Sequence, residues 1–209
     1  MKSLPDCRLY TFVDTAYLHG QAPGDIAQAL CDGGSDVIQL RAKNEAAEVV
    51  RRMAGAILPI TQAAGVWLVI NDHPEIAREI GADLCHLGQE DFFDPGGYKS
   101  RHGGNATGIG LSTHAPEQAE RALAAQPEYI AIGPVYPTGT KPTARAVGLE
   151  YIRWAAANVP IPWFAIGGIK LGNLNEVLGA GARRICVVSA ILNASDVTKA
   201  CSQFRHRLF

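Results

Sequence analysis

The sequence predicts an α/β fold, a (β/α)₈ TIM barrel formed by one domain across residues 1–209. Three observations lead to it. Eight short apolar runs recur along the chain, with starts at residues 8, 37, 67, 84, 107, 129, 163 and 184. Runs such as VIQL, WLVI, YIAI and RICVV are almost continuously apolar, the pattern of strands covered on both faces in a parallel sheet. Segments rich in Ala, Glu, Arg and Leu lie between them. A βα unit needs about 25 residues or a little more, so eight units fit this chain near the lower size limit of the barrel. A five-stranded flavodoxin-like sheet would leave three of the runs without a place.

In chain order, the apolar run Arg8–Val13 opens the sheet, and the segment Pro23–Asp32 follows as a helix. Val37–Leu40 is the second strand, with Asn44–Ala64 as the helix after it. Trp67–Ile70 is the third, and Asn71-Asp72 before Pro74 reads as a helix start. Leu84–Leu87 and Thr107–Leu111 are the fourth and fifth strands, and Pro116–Ala125 is the helix behind the fifth. Tyr129–Ile132, helix Leu149–Asn158, Trp163–Ile166, helix Leu174–Gly179 and Arg184–Val188 complete the alternation. No low-complexity linker or charge block divides the chain.

Composition excludes several function classes. With 47% apolar and 19% charged residues, the chain can bury a sizeable core. Nineteen basic and twenty acidic side chains leave a net charge of -1, which argues against a nucleic-acid binder or an anionic-membrane binder. No apolar run reaches the ~18 residues of a membrane helix. The opening MKSLPDCRLYTF carries Pro and Asp where a signal peptide has its apolar stretch, so a cytoplasmic protein is expected. Five widely spaced cysteines without a C-x-x-C suggest neither a disulfide framework nor a zinc site. The six histidines form no H-E-x-x-H, and His86, inside an apolar run, reads as a hydrogen-bonded core imidazole. Dinucleotide and P-loop glycine motifs are absent, and no G-x-S-x-G surrounds Ser112.

In a barrel, chemistry gathers where strands end. The second run reads VIQLRAKN, and alternation puts Gln39, Arg41 and Lys43 on one face and Ile38, Leu40 and Ala42 on the other. Cations on an interior face need a partner, either an anionic ligand or nearby acids at the rim. Asp72 and Asp91 follow the neighbouring third and fourth runs, close enough to share a cation such as Mg²⁺. Taken alone, Asp72 reads first as a helix cap. The loop Gly133–Gly148 contains Thr138, Gly139, Thr140 and Lys141, donors suited to a phosphate, and is equally readable as a Pro/Gly-rich connector. Gly167, Gly168 and Ser189 follow the seventh and eighth runs, where phosphate-binding barrels place backbone amides and a helix start.

Together these segments resemble the thiamine-phosphate synthase (thiamin phosphate pyrophosphorylase) family. The matching stretches are QLRAK at 39–43, ND at 71–72, HLGQED at 86–91, GLSTH at 110–114, GPVYPTGTK at 133–141, AIGGI at 165–169 and VVSAI at 187–191. The resemblance spans about residues 8–192 and implies a Mg²⁺-dependent transferase. Hydroxyethylthiazole phosphate would displace pyrophosphate from hydroxymethylpyrimidine pyrophosphate, giving thiamine phosphate. By motif, the 39–43 segment (Gln39, Leu40, Arg41, Ala42, Lys43) and Asn71 would meet the pyrimidine pyrophosphate, as would Ser112 and Lys141. Asp72 and Asp91 would hold Mg²⁺. Thr138, Gly139, Thr140, Gly168, Val188 and Ser189 would surround the thiazole phosphate. Arg41, Lys43, Ser112 and Lys141 are the catalytic candidates. One departure stands out: the family's Q-L-R-E-K has Ala42 here in place of Glu, and strand parity turns that position away from the pyrophosphate contacts.

Two other readings compete. A thiazole tautomerase on the same fold would need no pyrophosphate grip. A non-catalytic sensor of thiamine or phosphate ligands could lose Asp72 or Lys141 without penalty. The full anion- and metal-binding set favours the synthase, acting on small-molecule substrates, with no nucleic-acid or membrane partner and a homo-oligomer left open.

Overall fold

The computed structural model describes residues 2–98, 107–139 and 145–208. Its strands are β1 (Leu9–Asp14), β2 (Val37–Arg41), β3 (Trp67–Asn71), β4 (Leu84–Leu87), β5 (Gly108–Thr113), β6 (Tyr129–Ile132), β7 (Trp163–Ile166) and β8 (Ile185–Cys186). They close into a barrel in sequence order, every pair parallel, with β8 returning to β1. The predicted (β/α)₈ barrel is the observed fold.

The helices are α1 (Pro23–Asp32), α2 (Ala47–Ala64), α3 (Pro74–Ile80), α4 (Gln89–Phe93), α5 (Pro116–Leu123), α6 (Gly148–Asn158), α7 (Leu174–Gly179), α8 (Ser189–Leu192) and α9 (Val197–His206). Proline in the first turn starts α1, α3 and α5, where its missing N–H costs nothing. Helix α2 buries Val50, Ala54, Ile57 and Thr61, one helical stripe against the sheet, and ends at Gly65 in the left-handed conformation. It starts three residues later than the expected Asn44, because residues 42–46 form the turn that leaves β2.

Strands β4, β6 and β7 coincide with the predicted runs; β1, β2 and β3 differ by a single residue at one or both ends, and β5 and β8 differ by more. β5 runs on to Thr113, so Ser112 sits on a strand and not in a loop. β8 is shorter than Arg184–Val188: Val187 still donates its N–H to Tyr10, but the backbone turns at Val188 to begin α8.

Large aromatic side chains fill the barrel interior. Tyr10, Phe12, Tyr129 and Phe164 pack with ring centroids 5.2–5.8 Å apart, mostly edge to face, an arrangement that adds to their area burial. At the other end, Asp36 ties the termini to the sheet. It accepts from the backbone N–H groups of Arg8 (2.7 Å) and Leu9 (3.1 Å), from Lys2 (2.7 Å) and from Arg205 on α9. Among the described residues no helix is long and apolar enough to cross a membrane.

Candidate active site

Strand alternation brings side chains from distant parts of the sequence to one place. Gln39 and Arg41 of β2, Asn71 of β3, His86 of β4 and Ser112 of β5 line a pocket at the C-terminal end of the barrel. Thr138, Gly168, Val188 and Ser189 line it from the loops after β6, β7 and β8. The cavity volume is about 110 Å³, and the pocket is partly open to solvent.

Arg41 shares its charge with a residue that sequence reading overlooked. Asp14, the last residue of β1 and register partner of Arg41, is 1% exposed and receives the Arg41 guanidinium at 2.8 Å. A guanidinium has five N–H donors, so this bond fixes Arg41 and leaves others for a ligand. Both expected partners for Arg41, a rim acid and an anion, are therefore compatible. Lys43 departs from the predicted parity because β2 ends at Arg41; it lies exposed on the following turn and acts electrostatically on Asp72. Leu40 (1% exposed) and Ala42 (4%) are buried in the apolar core, outside the pocket lining.

The two acids expected at a metal are neighbours. Asp72 has φ 63°, a left-handed backbone unusual for a non-glycine residue, and its N–H reaches the His86 carbonyl at 3.0 Å. It does not cap α3, whose N-cap is His73. Burial raises the Asp72 carboxyl above the usual carboxylate range, and the charge of Asp91 raises it further, outweighing Lys43 and a hydrogen bond from Asn71. Asp91, in the first turn of α4, folds back over Gly88: a methyl at Gly88 would lie 2.8 Å from its Oδ2. Gln89 anchors this helix by donating to the Ser112 carbonyl at 2.7 Å and accepting from Arg121 at 2.6 Å. No cluster of three or more metal-ligating side chains occurs among the described residues. A repelling carboxylate pair fits Mg²⁺, which commonly takes one or two protein carboxylates and completes its shell with phosphate and water.

Below the rim, His86 is hydrogen-bonded on both ring nitrogens, to Tyr129 at 2.9 Å through Nδ1 and to Ser112 at 2.8 Å through Nε2. That matches its reading as a core imidazole, and it also places the ring directly behind a pocket hydroxyl. The bond patterns of Tyr10, Tyr129 and Asp14 join residues far apart in sequence, so only Asp14, closing an apolar run, carried a local signal.

The glycine pair after β7 has a packing reason. A methyl on Gly167 would lie 2.3 Å from Pro134, and one on Gly168 would lie 2.7 Å from Tyr136, so both let the β6 and β7 loops touch. Gly139 is exposed and outside the pocket lining, and Thr140 and Lys141 lie outside the described residues. Ser189 opens α8 as its first residue, with Val188 as N-cap.

Comparison with known proteins follows the same lines. The sequence model for thiamine monophosphate synthase matches residues 9–191. Thiamine-phosphate synthase of Thermus thermophilus is 46% identical over 190 residues, covering 90% of both chains. That of Acidothermus cellulolyticus is 42% identical over 208 residues, covering 99% of this chain and 97% of the relative. The structure of a thiamine phosphate pyrophosphorylase from Pyrococcus furiosus superposes with TM-score 0.87 at 29% identity, covering 99% of this chain and 98% of the other.

Proposed function

This chain belongs to the thiamine monophosphate synthase family and is a transferase of thiamine biosynthesis; on that premise we propose that it joins hydroxymethylpyrimidine pyrophosphate to hydroxyethylthiazole phosphate, with Mg²⁺, in the cytoplasm. One observation carries the reading: a pocket wall with Arg41, Asn71 and Ser112 ends beside the coupled carboxylates of Asp72 and Asp91. A cationic and an acidic group side by side suit a diphosphate that arrives with a divalent ion.

The reaction forms a bond from the thiazole nitrogen to the pyrimidine methylene carbon and breaks that carbon's bond to pyrophosphate. The nitrogen lone pair makes the new bond, and the electron pair of the broken C–O bond leaves on pyrophosphate. Departure through a pyrimidine cation needs charge stabilisation more than a strong base. Arg41, oriented by Asp14, binds the leaving group with charge-assisted hydrogen bonds. Lys43 adds a second cation at the mouth, and by the family resemblance Lys141 a third. Asp72 and Asp91 would hold Mg²⁺, which when bound would neutralise charge developing on the diphosphate. Gln39, Asn71 and Ser112 orient the pyrimidine, while Thr138, Gly168, Val188 and Ser189 seat the thiazole phosphate. Holding the two substrates in line supplies the remaining acceleration.

The test is product formation by the purified protein. Thiamine phosphate should appear only when both substrates and Mg²⁺ are present. Isomerisation of the thiazole without condensation would replace this reading with the tautomerase.

A further inference from the structure

The inner wall of the pocket is one continuous hydrogen-bonded chain. Gln39 Nε2 donates to the Tyr10 hydroxyl at 2.7 Å; that hydroxyl lies 2.8 Å from the Tyr129 hydroxyl, which lies 2.9 Å from His86 Nδ1. His86 Nε2 then meets Ser112 Oγ at 2.8 Å. Tyr10 and Tyr129 are 1% and 0% exposed, so neither phenol can turn to water for a partner.

Each phenol has a single proton to give. Tyr10 receives a proton bond from Gln39, so its own proton goes to Tyr129, and the proton of Tyr129 goes to His86 Nδ1. The imidazole must then carry its proton on Nε2 and donate it to Ser112. The Ser112 proton is left to point away from His86, into the pocket that Ser112 lines. At the opposite end, donation through Nε2 leaves the Gln39 carbonyl oxygen as that side chain's acceptor. The reverse polarity would need Gln39 turned over and would offer the ligand the opposite pattern at both ends.

We infer that Tyr10, Tyr129 and His86 are positioning residues that set the direction of this chain, so that Gln39 presents an acceptor and Ser112 a donor to the same ligand. They touch no reacting atom. Their effect is on specificity, because a polar site built for one donor–acceptor pattern leaves its own groups unpaired when the pattern is reversed. Resting on the proposed function, the ligand is the aminopyrimidine ring, which offers an amino donor next to a ring-nitrogen acceptor. The matching oxo-pyrimidine, with donor and acceptor exchanged, should be rejected.

The experiment combines ¹⁵N NMR of the histidine side chains with binding and kinetics of wild type and Tyr129→Phe, which removes one hydroxyl from the middle of the chain. Wild-type His86 should show the Nε2–H tautomer, and the protein should bind the aminopyrimidine alcohol better than its oxo analogue. In Tyr129→Phe the tautomer should become mixed, and KM for the aminopyrimidine pyrophosphate should rise roughly tenfold. KM for the thiazole phosphate should stay within about twofold, since no part of this chain is assigned to that substrate. His86→Gln, whose amide can still donate toward Ser112, should retain more of the amino-over-oxo preference than His86→Ala. An Nδ1–H tautomer in an active wild type overturns the inference alone, as does an equal loss for both substrates in Tyr129→Phe. A protein that makes no thiamine phosphate yet shows the Nε2–H tautomer and prefers the amino ring would refute the proposed reaction and uphold this inference.

Discussion

Gly110 and Tyr129 are register partners on β5 and β6, and they fit together inside the barrel only because one of them has no side chain. A methyl on Gly110 would lie 2.1 Å from the Tyr129 ring, well inside any real contact. The tyrosine ring thus occupies the space that glycine vacates, and from there its hydroxyl reaches both Tyr10 and His86.

Gly110→Ala should therefore move Tyr129 and disturb both core and pocket. Overpacking of this kind costs about 1–3 kcal/mol, sometimes more. The denaturant midpoint should fall by the corresponding amount, and KM for the pyrimidine substrate should rise with it. An unchanged midpoint would mean that the ring is free to shift.

Gly88 presents the opposite case, a glycine whose close neighbour is the movable end of a side chain. Its backbone at φ -73° accepts alanine, so Gly88→Ala should leave stability almost untouched. The added methyl displaces the Asp91 carboxylate, and the Mg²⁺ concentration for half-maximal rate should rise roughly tenfold. Titrating rate against Mg²⁺ checks this, and an unaltered Mg²⁺ requirement would remove Asp91 from the metal site.

The Arg41–Asp14 pair allows structural and chemical roles to be separated. Arg41→Met leaves Asp14 charged and 1% exposed, which should cost about 3 kcal/mol as well as activity. Adding Asp14→Asn removes the orphaned charge and should restore most of the stability while activity stays lost. A double variant that recovers turnover would show that Arg41 serves the fold and not the substrate.

Asp36 links stability to pH. Burial alone would raise its carboxyl, but Lys2, the backbone N–H groups of Arg8 and Leu9, and Arg205 together hold it below the usual carboxylate range. Its folded-state value is lower than its unfolded one, so the unfolded chain binds the proton more readily. The stabilisation is full above the unfolded value near ~3.9 and is lost as pH falls through the folded value. Urea unfolding between neutral and acid pH should show this loss in wild type, and Asp36→Asn should be less stable at neutrality with a flatter acid limb.

Much of this fold was legible because parallel strands buried on both faces write continuous apolar runs, and three of eight strand boundaries coincide with them. The boundaries that moved did so for reasons outside the runs. β5 continues through the polar pair Ser112-Thr113, whose side chains find partners in His86 and the Ala131 carbonyl. β8 stops early because Val188 must turn the chain into α8. The site candidates at strand ends came together wherever alternation held, as at Gln39, Arg41 and Asn71, and alternation ceased to apply to Lys43 once the strand had ended. The pairing of Asp14 with Arg41 and the chain through Tyr10, Tyr129 and His86 depend on contacts between strands, which a single sequence does not write down.

The most direct measurement is calorimetric binding of pyrophosphate to the intact protein with and without Mg²⁺. Asp72, flanked by Asp91, Lys43 and the pocket residue Asn71, predicts binding at least roughly tenfold tighter with Mg²⁺, an enhancement that Asp72→Asn abolishes. Equal affinity in the two conditions, or an enhancement that survives Asp72→Asn, would contradict a shared site for metal and diphosphate.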